Sequence, residues 1–153
     1  MLLMGSSAFK TELPFEVGAQ IDWAIERGMS FIVGEAHGAC RRFQDYLASL
    51  NYRDVVVGHA KSIRYNAGDW PTRQYGLSVK ERERGMIDDC NRAVIIWVNN
   101  SGVIAENLEQ LKKQGKPTYL YETNTKTGET RHGPLDSGRS YRNPFYRRYR
   151  RRQ

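Results

Sequence analysis

The chain has 153 residues, 39% hydrophobic and 27% charged, which suits one globular domain and excludes a coiled coil, a collagen or a wholly disordered chain. Its longest purely apolar run, Ala93 to Val98, is far short of a membrane span, and Met1 to Met4 is too brief for a signal-peptide core. The net charge of +7 is local: residues 1–123 hold 15 basic and 15 acidic side chains, whereas 124–153 hold 9 basic and 2 acidic, so a neutral domain over 1–123 is expected to carry a basic extension over 124–153.

Met1 to Met4 reads as a buried strand feeding the polar turn Gly5-Ser6-Ser7. Phe15 to Arg27 keeps a 3.6-residue apolar period, with Pro14 at its entry and Gly28 at its exit, and predicts a helix. Phe31-Ile32-Val33-Gly34 is a second strand, and Ala39, Phe43, Tyr46, Leu47 and Leu50 then take helical spacing. Val55-Val56-Val57-Gly58 is a third strand. Residues 58–80 form a long connection, expected as a functional flap or an insert. Arg82 to Cys90 predicts a helix with Met86, Ile87 and Cys90 inward, and Ala93 to Val98 a fourth strand. Val103, Ile104, Leu108 and Leu111 mark a last helix ending near Gly115-Lys116-Pro117, and Thr118 to Tyr121 a fifth strand. Asn124 to Glu129 reads as a turn towards a short extra strand.

Short, unalternating apolar strands separated by helices are strands buried on both faces, which pair in parallel with helical crossovers. The expected fold is an α/β, Rossmann-like parallel sheet of about five strands with helices on both faces, a single domain followed by a basic tail. In such sheets ligands bind beyond the carboxyl ends of the strands. Those ends carry Gly5-Ser6-Ser7, then Gly34-Glu35-Ala36-His37-Gly38, Gly58-His59, and Asn99-Asn100-Ser101-Gly102. Small and polar residues leading into helix starts suit a phosphate. The candidate ligand residues are therefore Gly5, Ser6, Ser7, Gly34, Glu35, His37, Gly38, Asn99, Asn100, Ser101 and Gly102. The spacing is neither a dinucleotide fingerprint nor a P-loop. His37, His59, Cys40 and Cys90 show no paired metal-ligand spacing, so neither metal nor cofactor is expected, and the two cysteines fit reduced thiols in a cytoplasm.

Gly34-Glu35-Ala36-His37-Gly38-Ala39-Cys40-Arg41 resembles the GGA-x-GAD turn of YspA-like members of the SLOG superfamily. Trp70 to Met86, Asp89, Ala93 to Trp97, Ser101-Gly102 and Gly115-Lys116-Pro117 resemble the rest of that pattern. Arg82-Glu83-Arg84-Gly85-Met86 is similar to the RKxxM segment, and Gly102-Val103-Ile104-Ala105-Glu106 to the GTxxE segment, of LOG-type phosphoribohydrolases. The resemblance implies a nucleotide ligand, cleavage or transfer at the N-glycosidic bond of a nucleoside 5′-monophosphate, Glu106 and Arg82 as catalytic residues, and a homo-oligomer. Glu106, one helical turn after the bare Gly102, would reach a bound ribose, and Arg82 would offer a fork to phosphate or base. A solvated helix charge is the ordinary alternative for both.

Two other functions remain open on the sequence: a non-catalytic nucleotide sensor acting through a partner, and a nucleic-acid-associated protein. The second rests on Arg147, Arg148, Arg150, Arg151 and Arg152 interleaved with Tyr146 and Tyr149, since arginines neutralise phosphates and aromatics stack on bases. A segment that packs on a partner subunit fits the same residues.

Overall fold

A computed structural model describes residues 1–100 and 102–142. The elements run β1 (Leu2–Gly5), α1 (Phe15–Glu26), β2 (Phe31–Val33), α2 (Ala39–Ser49), β3 (Val55–His59), β4 (Thr72–Gln74), α3 (Val79–Asp89), β5 (Ala93–Val98), α4 (Ile104–Lys113), β6 (Thr118–Thr123) and β7 (Thr130–Pro134). They form one sheet in the order β4-β3-β2-β1-β5-β6-β7. All neighbours pair in parallel except β6 and β7. The five strands read from the sequence are the apolar centre of that sheet.

Alternation along the strands feeds two cores. Leu3, Val33, Val57, Val94 and Ile96 face α1 and α2, whose Val17, Ile21, Phe43 and Leu47 are fully buried. Leu2, Met4, Ile95, Trp97 and Leu120 face α3 and α4 through Met86, Ile87, Leu108 and Leu111. Helices thus cover both faces, as right-handed crossovers running outward from β1 in two directions require.

The structure adds one edge strand, β4, and places the short strand expected after the Asn124–Glu129 turn as the other edge, β7. Thr72-Arg73-Gln74 is exposed throughout and follows Pro71, so no apolar pattern announces it; its backbone pairing with β3 makes it a strand. β7 is nearly as exposed and is held by a hairpin, in which the Asn124 side chain accepts from Lys126 N and Thr127 N. α3 starts earlier than the apolar spacing predicts, because Ser78 caps it by accepting from Glu81 N at 3.1 Å.

The connection after β3 is docked rather than a free flap. Trp70 is buried, and its indole N–H donates to Tyr52 O at 2.8 Å. Gln44 donates to Gly34 O and Tyr65 O and accepts from Ala67 N, so one buried amide fixes both ends of the turn.

Packing also continues past residue 123, the boundary expected between domain and extension. Beyond β7 the chain returns over α4: Leu135 N donates to Thr118 O, Tyr141 N donates to Glu109, and Arg139 makes a two-pronged ion pair with Glu122. Tyr141 is buried, with its ring 6.2 Å from that of Trp97 and the Arg139 guanidinium 4.5 Å above it. Among the described residues, no helix is long and apolar enough to cross a membrane.

Candidate functional site

The direction of chain progression reverses between β1 and β5, so the crevice between their carboxyl ends is where a doubly wound sheet offers a ligand site. Three loops meet there. Ser6 N donates to Ile96 O at 2.9 Å, and Ser6 Oγ accepts from Val98 N at 2.9 Å, which ties the turn after β1 to the end of β5. Ser6 O accepts from Ala39 N, which brings in the start of α2. Two glycines allow this convergence. A Cβ on Gly5 would lie 2.6 Å from Ile96 O and 2.8 Å from the Ala39 methyl; one on Gly38, whose φ is +82°, would overlap Ser7 O.

Ser7, His37, Asn99, Asn100 and Gly102 are exposed at this edge, whereas Ser6, Gly34 and Glu35 are buried. Asn99 and Asn100 both take left-handed backbone conformations, and the Asn99 amide is committed to Thr125 of the β6–β7 hairpin. Ser101 and the five tail arginines, Arg147, Arg148, Arg150, Arg151 and Arg152, lie outside the described residues. The N-terminus of α2 has no side-chain cap and no acid in its first turn; Arg41 and Arg42 stand there instead. Arg41 stacks on Tyr65, its carbon Cζ 4.8 Å from the ring centre. A helix start of that composition can accept an anion.

Glu35 is structural as well as central. Its carboxylate is 1% exposed and accepts from Arg82 at 2.6 Å and from Arg64 at 2.7 and 3.0 Å. Burial alone would push this carboxyl up, but the hydrogen bonds and charge of Arg64, with the charge of Arg82, outweigh it and hold it below the usual range. Arg82 is therefore not a free fork. It is 4% exposed and salt-bridged, with its Nε alone lacking a partner.

The two residues expected to act together have different surroundings. Glu106 points outward, its side chain 62% exposed beside Arg142 at 3.5 Å, while Arg82 is sealed against Glu35. The carboxylate nearest Arg82 after Glu35 is Glu83, 3.9 Å away and 14% exposed. It accepts from the Asn107 amide at 3.0 Å, and that amide also touches the Met4 sulfur. Burial pushes the Glu83 carboxyl up despite Asn107 and Arg82. Glu83 thus joins the N-terminal halves of α3 and α4. In the sequence Glu83 is one charge among several in Arg82 to Met86, although Arg82, Glu83, Met86, Ile87 and Cys90 share one helical stripe. Asn107 carries no signal in the sequence, and Arg64 stands out only as one of four basic residues in the long connection 58–80.

Cys40, in the first turn of α2, and Cys90 are buried free thiols, both pushed up by burial. No group of three or more His, Cys, Asp or Glu is gathered as a metal site among the described residues. No family model, curated protein or solved structure matches this chain.

Proposed function

We propose that this chain is a SLOG-type domain that binds a nucleotide or nucleotide-derived ligand at the β1–β5 switch point, in the cytoplasm. The observation that carries the reading is the start of α2: without a side-chain cap, free of acids, flanked by Arg41 and set where three loops meet. Ser7 and the α2 backbone would face the phosphate, with His37, Asn99 and Asn100 at the rim. Mass spectrometry of co-purified small molecules and calorimetric titration with nucleoside 5′-monophosphates test it. Micromolar binding, weakened at least about tenfold by Arg41→Glu, is expected (~1.4 kcal/mol per tenfold). No affinity for any phosphate-bearing nucleotide overturns it.

Binding without turnover is the primary reading, because Arg82 is sealed in its pair with Glu35 while Glu106 lies at the surface beside Arg142. Cleavage or transfer at an N-glycosidic bond is favoured by one observation, the Glu83 carboxyl beside Arg82, which burial pushes above the ordinary carboxylate range and so towards holding a proton. Base release from nucleoside 5′-monophosphates that Glu83→Gln abolishes and Glu106→Gln leaves intact would establish it. Ligand binding without base release leaves the protein a sensor.

A further inference from the structure

On the face opposite α4, helices α1 and α2 enclose a groove of about 670 Å³. Its rim carries four acids, Glu12, Asp22, Glu26 and Asp45, against one base, Arg42, which Glu12 approaches at 3.7 Å. Asp22 accepts the Tyr46 hydroxyl at 2.6 Å, and Asp45 that of Tyr65, so both carboxylates are fixed in position. Phe15 stands at the mouth of the groove, 87% exposed. Trp23, on the groove wall, already takes a guanidinium on its ring, that of Arg27, at 4.1 Å, and that of Arg92 at 4.8 Å. An occupant rich in arginine and aromatics fits such a surface.

The chain itself contains that occupant. Residues 143–153 read Asn-Pro-Phe-Tyr-Arg-Arg-Tyr-Arg-Arg-Arg-Gln, with five arginines, three aromatics and no acid. Its own groove is poorly placed for it. Tyr141 and Arg142 sit on the α4 side, against Trp97 and Glu106, while the groove lies beyond the sheet on the outside of α1 and α2. Crossing a helix layer, a sheet and a second helix layer takes roughly 30 Å. Arg147 and Arg152 follow Arg142 by five and ten residues, which span at most about 18 and 36 Å, so within one chain only the last residues, fully extended, reach that far. We propose that the Arg/Tyr segment of residues 143–153 docks in the α1–α2 groove of a second copy, joining chains head to tail.

The contact is heterologous, since one surface meets a different one on its partner, so association can continue beyond a dimer into rings or longer arrays. It is also electrostatic and exposed, so salt weakens it. Sedimentation velocity of the full chain at low and high salt tests this. Concentration-dependent oligomers at low salt that dissolve at high salt are expected. Glu12→Lys with Glu26→Lys, two exposed positions, is expected to weaken association at least about tenfold, as is reversal of the five arginines to glutamate. Both reversals in one chain are expected to restore it, and a free peptide of sequence 143–153 to compete with it. A monomer at every concentration and salt overturns the proposal. So does association that both single reversals leave unchanged, or that nuclease treatment abolishes.

Discussion

Arg82 and Glu35 lie 47 residues apart in the chain, yet the guanidinium donates to the carboxylate at 2.6 Å, and both side chains are nearly sealed from water. The pair pins the first turn of α3 to the loop after β2. Arg64 reaches the same carboxylate from the connection after β3, so one acid gathers three segments at the carboxyl edge.

Glu35→Gln leaves the buried Arg82 with only Glu83, 3.9 Å away, as a counter-charge, and is expected to destabilise the fold by about 3–5 kcal/mol. A urea melt measures it. The folded carboxyl titrates below its unfolded value, so its contribution is present above the ordinary carboxylate pKa and is lost as pH falls through the folded one. The gap between wild type and variant is therefore expected to close in acid. A variant as stable as wild type at neutral pH would show that the pair does not hold these segments together.

Glu83 titrates the other way. Its folded pKa is raised, so ionising it in place opposes folding as pH rises beyond the ordinary carboxylate value. Glu83→Gln keeps an oxygen for the Asn107 amide and removes the desolvated charge. It is expected to be more stable than wild type near neutrality, by on the order of 1 kcal/mol, and equal to it below about pH 4. Melting temperatures across that range decide it; a destabilised variant at neutral pH would mean that the charge beside Arg82 is favourable.

Gly38→Ala meets both a left-handed backbone and an overlap of its new methyl with Ser7 O. Strain of this kind costs about 1–3 kcal/mol, and the overlap adds to it. Because the turn after β1 must retreat, ligand affinity at the switch point is expected to fall together with stability. A stable variant with unchanged affinity would show that close approach of the two turns is not needed.

Tyr141→Ala removes a ring from the core beneath α4 and is expected to cost about 3–5 kcal/mol. Denaturant midpoints of the two proteins measure it. An unchanged midpoint would mean that residues 135–142 are appended to the domain and do not complete it.

The five central strands and the helices between them were legible because burial on both faces leaves continuous apolar runs, and amphipathic helices leave a 3.6-residue period. The small, polar strand ends were legible too, since only glycine tolerates the contacts that Gly5 and Gly38 make. β4 was hidden, because an exposed edge strand is held by the backbone of a neighbour and not by side chains of its own, whereas β7 was signalled only by the turn that precedes it. Tyr141 looked like part of a basic tail because charge counted along a chain does not reveal one ring that packs.

The sequence alone determined an α/β, mostly parallel sheet with small, polar turns along one edge, because hydrophobic periodicity and glycine placement are local properties of the chain. Only the tertiary structure decided which carboxylates belong to that edge. Glu106 turns out to solvent, while Glu35 and Glu83 go under α3 and α4. The environment of a charge is set by residues distant in sequence, Arg64, Arg82 and Asn107 among them, and no local pattern records which of them will meet.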